Sequence, residues 1–209
     1  MIPDWFSYCS KIGIDESKYA VLNRYLEQLW TGNKELNLFS RKMEWDDLVH
    51  LHLIDSLLAL PHWPQDTRHV VDLGSGGGFP AIPLALVLSD CQFVLVEKSP
   101  KKAAFLKRFM EWIPNLNVVC DLVPGGISAF TQVVTCRAFK PLPVIFEMTQ
   151  AYLKNGGAYM LWKGRRETVE EELRASRRWL KGREAPHVLA LSHPSRDVER
   201  NLVTLGLPR

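Results

Sequence analysis

No two of the four cysteines, Cys9, Cys91, Cys120 and Cys136, stand close enough to make a C-x-x-C pair. That argues against a zinc or dithiol motif and leaves reduced, buried thiols as the expected state. The histidines, His50, His52, His62, His69, His187 and His193, show no metal-ligand spacing, so no metal is expected. No apolar run approaches the ~18 residues of a membrane span. The first residues, Met1-Ile2-Pro3-Asp4-Trp5, lack the basic start and apolar core of a signal peptide. Both absences point to a cytoplasmic protein with no membrane partner. Net charge is also scarce, +3 from 26 basic and 23 acidic residues, so the total excludes little. No internal repeat or low-complexity linker divides the 209 residues. A single compact domain is expected, with a helical cap over 1–64 and a core over 65–209.

What is present is organised around Val70-Val71-Asp72-Leu73-Gly74-Ser75-Gly76-Gly77-Gly78-Phe79-Pro80. An apolar run enters a glycine-rich turn and leaves into the helical pattern Ala81-Ile82-Pro83-Leu84-Ala85-Leu86-Val87-Leu88, which reads as strand, turn, helix. Glycines at the carboxyl end of a buried strand mark the ligand crevice of an open α/β sheet. A dinucleotide fingerprint needs a third glycine where Phe79 stands, and a P-loop needs Lys-Ser or Lys-Thr after its last glycine, where none follows. Asp72 with Gly74, Gly76 and Gly78 suits a ligand that has no phosphate but carries an amine and a positive centre. S-adenosylmethionine meets that description. Glu97 ends the next apolar run, Phe93-Val94-Leu95-Val96, about twenty residues on, where an acidic side chain can accept from both ribose hydroxyls.

Periodicity places an amphipathic helix over Asp15 to Trp30, ended by Gly32-Asn33, and a second from about Trp45 to Leu60. Strands are expected near 69–73, 92–97, 117–120, 132–137 and 158–163. Helices are expected near 79–88, 100–112, 141–154 and 166–180, with two last strands near 187–191 and 200–206. Alternating strand and helix implies a parallel, doubly wound sheet with helices on both faces, and the two-strand ending suits a methyltransferase-type sheet with an antiparallel final strand. Cations gather at Lys98, Lys101, Lys102, Lys107 and Arg108, and again between Lys163 and Arg183. Glu167 and Glu170 to Glu172 interrupt the second group, so part of it reads as a solvated helix face with i,i+4 pairs.

The ordered set His52-Leu53-Ile54-Asp55-Ser56-Leu57, Asp72 to Pro80 with Ile82-Pro83-Leu84, Glu97 to Leu106, Arg137-Ala138-Phe139 and Lys163-Gly164 resembles the glucose-inhibited division protein B family, RsmG. Its members are small-subunit (16S) rRNA guanine-N7 methyltransferases, and the resemblance covers roughly residues 22 to 165. It implies a Rossmann-like class I methyltransferase core with an N-terminal helical extension, S-adenosylmethionine as cofactor, and 16S rRNA or the small ribosomal subunit as partner to a monomer. It also implies cofactor contacts at Gly74, Phe79, Val123, Pro124 and Arg137. The chain departs from the family pattern in four places. Leu122-Val123-Pro124 stands where the family has Arg-Ala-Glu, so an acidic partner near the adenine is missing and backbone contacts alone are expected there. Phe39 replaces a threonine, Ala81 a glycine and Cys136 a serine.

Guanine N7 is a lone-pair acceptor with no proton to remove, so transfer needs in-line positioning and no catalytic acid or base. The Asp/Asn-Pro-Pro-aromatic motif of exocyclic-amine enzymes is absent, since Thr135-Cys136-Arg137-Ala138-Phe139 fills its place. Cys136 precedes an arginine and reads as a strand thiol rather than a nucleophile. Arg137 could contact the cofactor or a phosphate, or hold an acidic neighbour, and the resemblance favours the first. His52 and Asp55, at i,i+3, could reach one another and anchor the cap against the loop. Trp162 is the tryptophan best placed for the substrate side. Lys101, Lys102, Arg108, Lys140, Lys163 and Arg165 are the expected phosphate contacts. Two other readings stay open: a non-catalytic rRNA-binding or ribosome-assembly module, and a nicotinamide-dependent oxidoreductase.

Overall fold

The structure is a computed structural model and describes residues 5–122 and 127–207. The helical cap holds α1 (Phe6–Lys11), α2 (Tyr19–Leu36) and α3 (Trp45–Leu48), a π-helical segment Val49–Ile54, and α4 (Asp55–Leu57). The core follows as β1 (His69–Leu73), α5 (Ala81–Val87), β2 (Gln92–Val96), α6 (Pro100–Lys107), β3 (Leu116–Val119) and β4 (Val133–Arg137). It continues through α7 (Leu142–Met148), α8 (Gln150–Lys154), β5 (Ala158–Lys163), α9 (Arg166–Ala175), α10 (Arg177–Leu180), β6 (His187–Ala190) and β7 (Asn201–Leu205).

The seven strands form one sheet in the order β3-β2-β1-β4-β5-β7-β6. The first five strands of the chain run parallel, with Val71 opposite Val94 on one side and Val134 on the other. β7 is antiparallel to both its neighbours, pairing Leu161 with Val203 and Val188 with Val203. The winding reverses between β1 and β4, and a switch point of this kind opens a crevice at the carboxyl ends of the strands. Strand alternation divides the apolar residues between two clusters. Val70 packs with Tyr25, Leu26, Leu29, Ile82 and Phe105 on the cap side, and Val71 and Leu73 pack with Phe146, Tyr159 and Val169 on the other.

Several local expectations need correction. Gly32-Asn33 does not end the first long helix, which runs on to Leu36 and stops at Asn37 in the left-handed region at φ 50°. Gly32 is a packing glycine, because a Cβ there would lie 2.3 Å from the Phe105 ring. Asn33 instead braces the turn that follows, accepting from the backbone N–H of Leu38 at 2.6 Å and Phe39 at 2.9 Å. The second cap helix widens into its π segment and ends at Leu57, with a short 3-10 turn at Leu60–His62. The helices expected over 141–154 and 166–180 are each interrupted, near Thr149 and at Ser176. Both hydroxyls bond the carbonyl four residues back, Ile145 and Glu172, a local competition that favours a bend. Cys9, Cys91 and Cys136 are buried thiols, but Cys120 is exposed at the end of β3.

Candidate functional site

The glycine loop is held from three sides. Gly74 and Ser75 donate to the Val96 carbonyl at 2.8 and 3.3 Å, tying the loop to the end of β2. Gly76 donates to Glu97 Oε2 at 2.9 Å, while Glu97 Oε1 accepts from Ser99 at 2.8 Å. From the cap, the Tyr25 hydroxyl donates to the Gly77 carbonyl at 2.9 Å. Gly74, at φ +67°, leaves no room for a side chain, since a Cβ would lie 2.3 Å from the Phe139 ring. Gly76, at φ +56°, is different: a Cβ there would meet nothing nearer than the Gly74 carbonyl at 3.8 Å. Pro80 stands just before α5 rather than inside its first turn, and its carbonyl accepts from Leu84.

Above this loop lies a cavity of about 500 Å³ whose lining includes Gly74, Gly76, Phe79, Glu97, Lys102 and Arg137. Of the expected cofactor residues, Asp72 lies under the loop and Gly78 faces Ile82 and Tyr25, neither on the cavity wall, and Val123 and Pro124 fall outside the described residues. Asp121 also lines the cavity, although no sequence motif singles it out. It sits two residues beyond β3, so an acidic group is present near the place where the chain departs from the family pattern, one residue before Leu122.

Asp72 is buried under the loop, with Oδ1 accepting from the Thr135 hydroxyl at 2.8 Å and Oδ2 lacking a partner among the described residues. Burial pushes its pKa up from the ordinary 3.8 to about 7, against the pull of hydrogen bonds and of Arg137. Between about pH 4 and pH 7 the folded chain therefore holds a proton that the unfolded chain has released. Stability contributed by this group is full below that window and is lost as pH rises through it. Asp72→Asn should gain stability relative to wild type across the same interval and hold a constant advantage above it. Urea midpoints measured at several pH values would check this, and parallel profiles for the two proteins would show that Asp72 ionises in the ordinary range.

A second cavity, of about 550 Å³, opens beside the first and shares His52, Arg137, Ala138, Phe139 and Lys140 with it. Its own walls include Asp55, Trp162, Lys163, Glu172 and Arg200. Arg137 links the two. Its guanidinium donates to Asp55 Oδ2 at 2.8 Å and to the Leu51 carbonyl at 2.9 Å, contacts His52 Nδ1, and lies 5.1 Å from the centre of the Phe79 ring. Asp55 Oδ1 faces Arg200 Nε at 2.9 Å, an ion pair without hydrogen-bond alignment. His52 and Asp55 do not bond one another; both meet Arg137. Burial, with the charge of Arg137, holds the His52 pKa down at about 3, so the ring is neutral across the ordinary pH range. Burial pushes the Cys136 thiol up to about 12, which leaves it protonated and unsuited to nucleophilic attack.

The expected phosphate contacts are scattered. Lys101, Lys140 and Arg165 are exposed and Lys102 is half-buried on the first cavity. Lys163 is pinned, donating to Glu172 Oε2 at 2.7 Å and to the Lys140 carbonyl at 2.9 Å. Arg108 lies against the Phe105 ring and lines a different groove with Arg24 and Trp112, away from both cavities. Trp162 is buried, donates from its indole to the Asp55 carbonyl at 3.1 Å, and shows one edge to the second cavity. Among the described residues no helix is long and apolar enough to cross a membrane, and no group of three or more His, Cys, Asp or Glu is arranged for a metal.

The geometry has counterparts. A family described as rRNA small subunit methyltransferase G matches residues 18–202. A Bdellovibrio bacteriovorus protein named ribosomal RNA small subunit methyltransferase G 1 is 40% identical over 195 residues, covering 93% of this chain and 94% of its own. The ribosomal RNA small subunit methyltransferase G of Chromobacterium violaceum is 33% identical over 198 residues, covering 93% and 91%. Among solved structures, an O-methyltransferase from Bacillus cereus in complex with SAH aligns with a TM-score of 0.60 at 16% identity, covering 95% of this chain and 96% of its own. Aeropyrum pernix fibrillarin with bound S-adenosyl-L-methionine aligns at 0.55 with 13% identity, covering 73% of each chain. The two structures share the class I methyltransferase fold with this chain.

Proposed function

Because the chain belongs to the rRNA small subunit methyltransferase G family, we propose that it is a cytoplasmic enzyme that methylates N7 of a guanine in 16S rRNA, using S-adenosylmethionine. The observation that carries this is the pair of cavities at the sheet's switch point, joined through the Arg137 to Lys140 wall. The first fits the cofactor in the chemistry of its donors: Glu97 offers carboxylate oxygens for vicinal hydroxyls, Gly76 leaves open space where a side chain would intrude, and Asp121 offers an acceptor near the end of β3. Phe79, standing where a dinucleotide fingerprint needs its third glycine, packs on this wall against Tyr25 and Arg137, which disfavours the nicotinamide reading.

S-adenosylmethionine, held by Glu97, the Gly76 turn and Asp121, would supply a methyl group on a positively charged sulfur to the N7 lone pair, which has no proton to remove. The protein's work is therefore to orient the base and exclude water. Neutral His52 and protonated Cys136 are compatible with that, since neither is required as an acid or base. Arg137 is fixed by Asp55 and Leu51, so it shapes the wall between the two sites. The non-catalytic assembly-module reading draws on the lack of an acid after β3, and Asp121 on the cavity wall weakens it.

The proposal is tested by incubating purified protein, cofactor and 16S rRNA or small subunits, then mapping N7-methylguanine by mass spectrometry. Binding of RNA without any methylated guanine would support the assembly module instead. RNA affinity should fall steeply with salt, and Lys101→Gln with Lys140→Gln should flatten the log–log slope by about 2, one for each phosphate no longer neutralised. An unchanged slope would remove those two lysines from the RNA surface.

A further inference from the structure

Within the proposed reaction, we propose that Glu172 is the residue that selects guanine, by accepting from the N1–H and N2–H donors of the target base in the second cavity. The inference rests on the guanine-N7 reading and adds the recognition element to it.

The argument starts from the base. A purine that offers N7 to the first cavity must turn its imidazole edge toward the shared wall, where Arg137, Phe139 and Lys140 stand. Its opposite edge then points into the part of the second cavity that the first does not share. On guanine that edge carries two donors, and on adenine the corresponding N1 is an acceptor. A carboxylate oxygen has lone pairs for both N–H donors and repels a facing lone pair.

The unshared walls carry two carboxylates, Asp55 and Glu172. Both oxygens of Asp55 face arginines, Arg137 at 2.8 Å and Arg200 at 2.9 Å, and its side chain is only 3% exposed. Glu172 is arranged differently. Its two protein donors, Lys163 Nζ at 2.7 Å and the Leu142 backbone N–H at 2.8 Å, both converge on Oε2. Oε1 takes part in no hydrogen bond among the described residues, and the side chain is 18% exposed, on the cavity. Lys163 and the start of α7 thus fix the carboxylate's orientation and charge and leave one oxygen for a ligand. Phe139, Pro141, Leu51 and Trp162 supply apolar surface around it, the kind of lining that receives a purine's faces.

The test uses splint-ligated RNAs that carry guanosine, inosine or adenosine at the methylated position. Inosine keeps N7 and N1–H but lacks the N2 amine, so it deletes one of the two inferred bonds. Wild-type protein should prefer guanosine over inosine by about tenfold or more in kcat/KM, the effect of leaving one charged acceptor unpaired. Glu172→Gln should lower transfer to guanosine and shrink that preference below about threefold, because the one amide oxygen is drawn to the Lys163 and Leu142 donors and leaves an NH2 group, not an acceptor, facing the base. A purely structural role, through Lys163 and Leu142, would lower transfer to both RNAs by the same factor, and an unchanged ratio overturns the inference. Cofactor titration of Glu172→Gln, and of Glu172→Ala beside it, shows whether each variant keeps the first cavity folded. Failure of wild-type protein to methylate the guanosine RNA at all would remove the guanine-N7 reading, and this inference with it. Transfer with an unaltered ratio removes this inference alone.

Discussion

Gly76→Asp is expected to lose S-adenosylmethionine binding by more than about 100-fold while the chain stays folded. Asp tolerates the left-handed region better than most residues, and φ at Gly76 is +56°. The new Cβ would meet nothing nearer than 3.8 Å, so the fold can accept it. The carboxylate, however, would enter the cavity beside Glu97, whose Oε2 lies 2.9 Å from the Gly76 nitrogen. It would take up ligand space and place a second negative charge against the oxygens meant for the ribose. Losing two hydrogen bonds to a charged acceptor, each worth ~1.5–3 kcal/mol, removes at least about two orders of magnitude in affinity. Isothermal titration of the variant against wild type, with circular dichroism to confirm folding, measures it. Binding within tenfold of wild type would place the cofactor elsewhere.

Asp55→Ala should be the most destabilising single change at the site. One buried carboxylate from the cap meets arginines from two different strands, Arg137 at the end of β4 and Arg200 just before β7. Removing it takes from both guanidiniums the carboxylate they share, while the other carboxylate of that cavity, Glu172, is bonded to Lys163. Truncating one partner of a buried pair costs ~3–5 kcal/mol. The lower end, about 3 kcal/mol, applies here because the Arg200 side chain is 26% exposed and water can reach it. In a chain of this size that corresponds to a fall in Tm of about 6–12 °C. Adding Arg200→Ala should return part of the loss, since the repulsion goes with it. Thermal and urea melts of the single and double variants would show this, and a double variant no more stable than Asp55→Ala would mean that the two arginines do not interact through Asp55.

Much of this architecture was legible in the residues because its signals are local. Strand, glycine turn and helix lie within Val70 to Leu88, and Glu97 follows a short apolar strand, so the first cavity's floor could be read in sequence order. The withdrawal of Asp72 and Gly78 from the cavity wall could not. A strand's alternation tells which face a residue takes, but not whether a loop folds over it. The second cavity was legible only as separate residues, among them Trp162 on the substrate side and Arg137 with an acidic neighbour as one of its readings. Asp55, Arg137 and Arg200 are brought together by the crossing of the cap over the sheet, and no periodicity relates residues so far apart. Glu172 reads in sequence as one charge on a solvated helix face, because its pairing with Lys163 depends on how α9 lies against the end of β5. Gly32 and Asn33 mislead for a related reason: both are helix-stop residues by propensity, and here tertiary contacts use them for close approach and for bracing a turn.

The place of β7 between β5 and β6 ties the edge of the sheet to the cap. Among the described residues β7 is the one strand that β6 pairs with, so β6 joins the sheet through β7 alone. Strands β1 to β5 can be zipped together without either, and with them the floor of the first cavity. Arg200 immediately precedes β7, so the step that docks this strand also delivers the second arginine to Asp55. The last edge of the sheet and the latch on the cap thus depend on one strand.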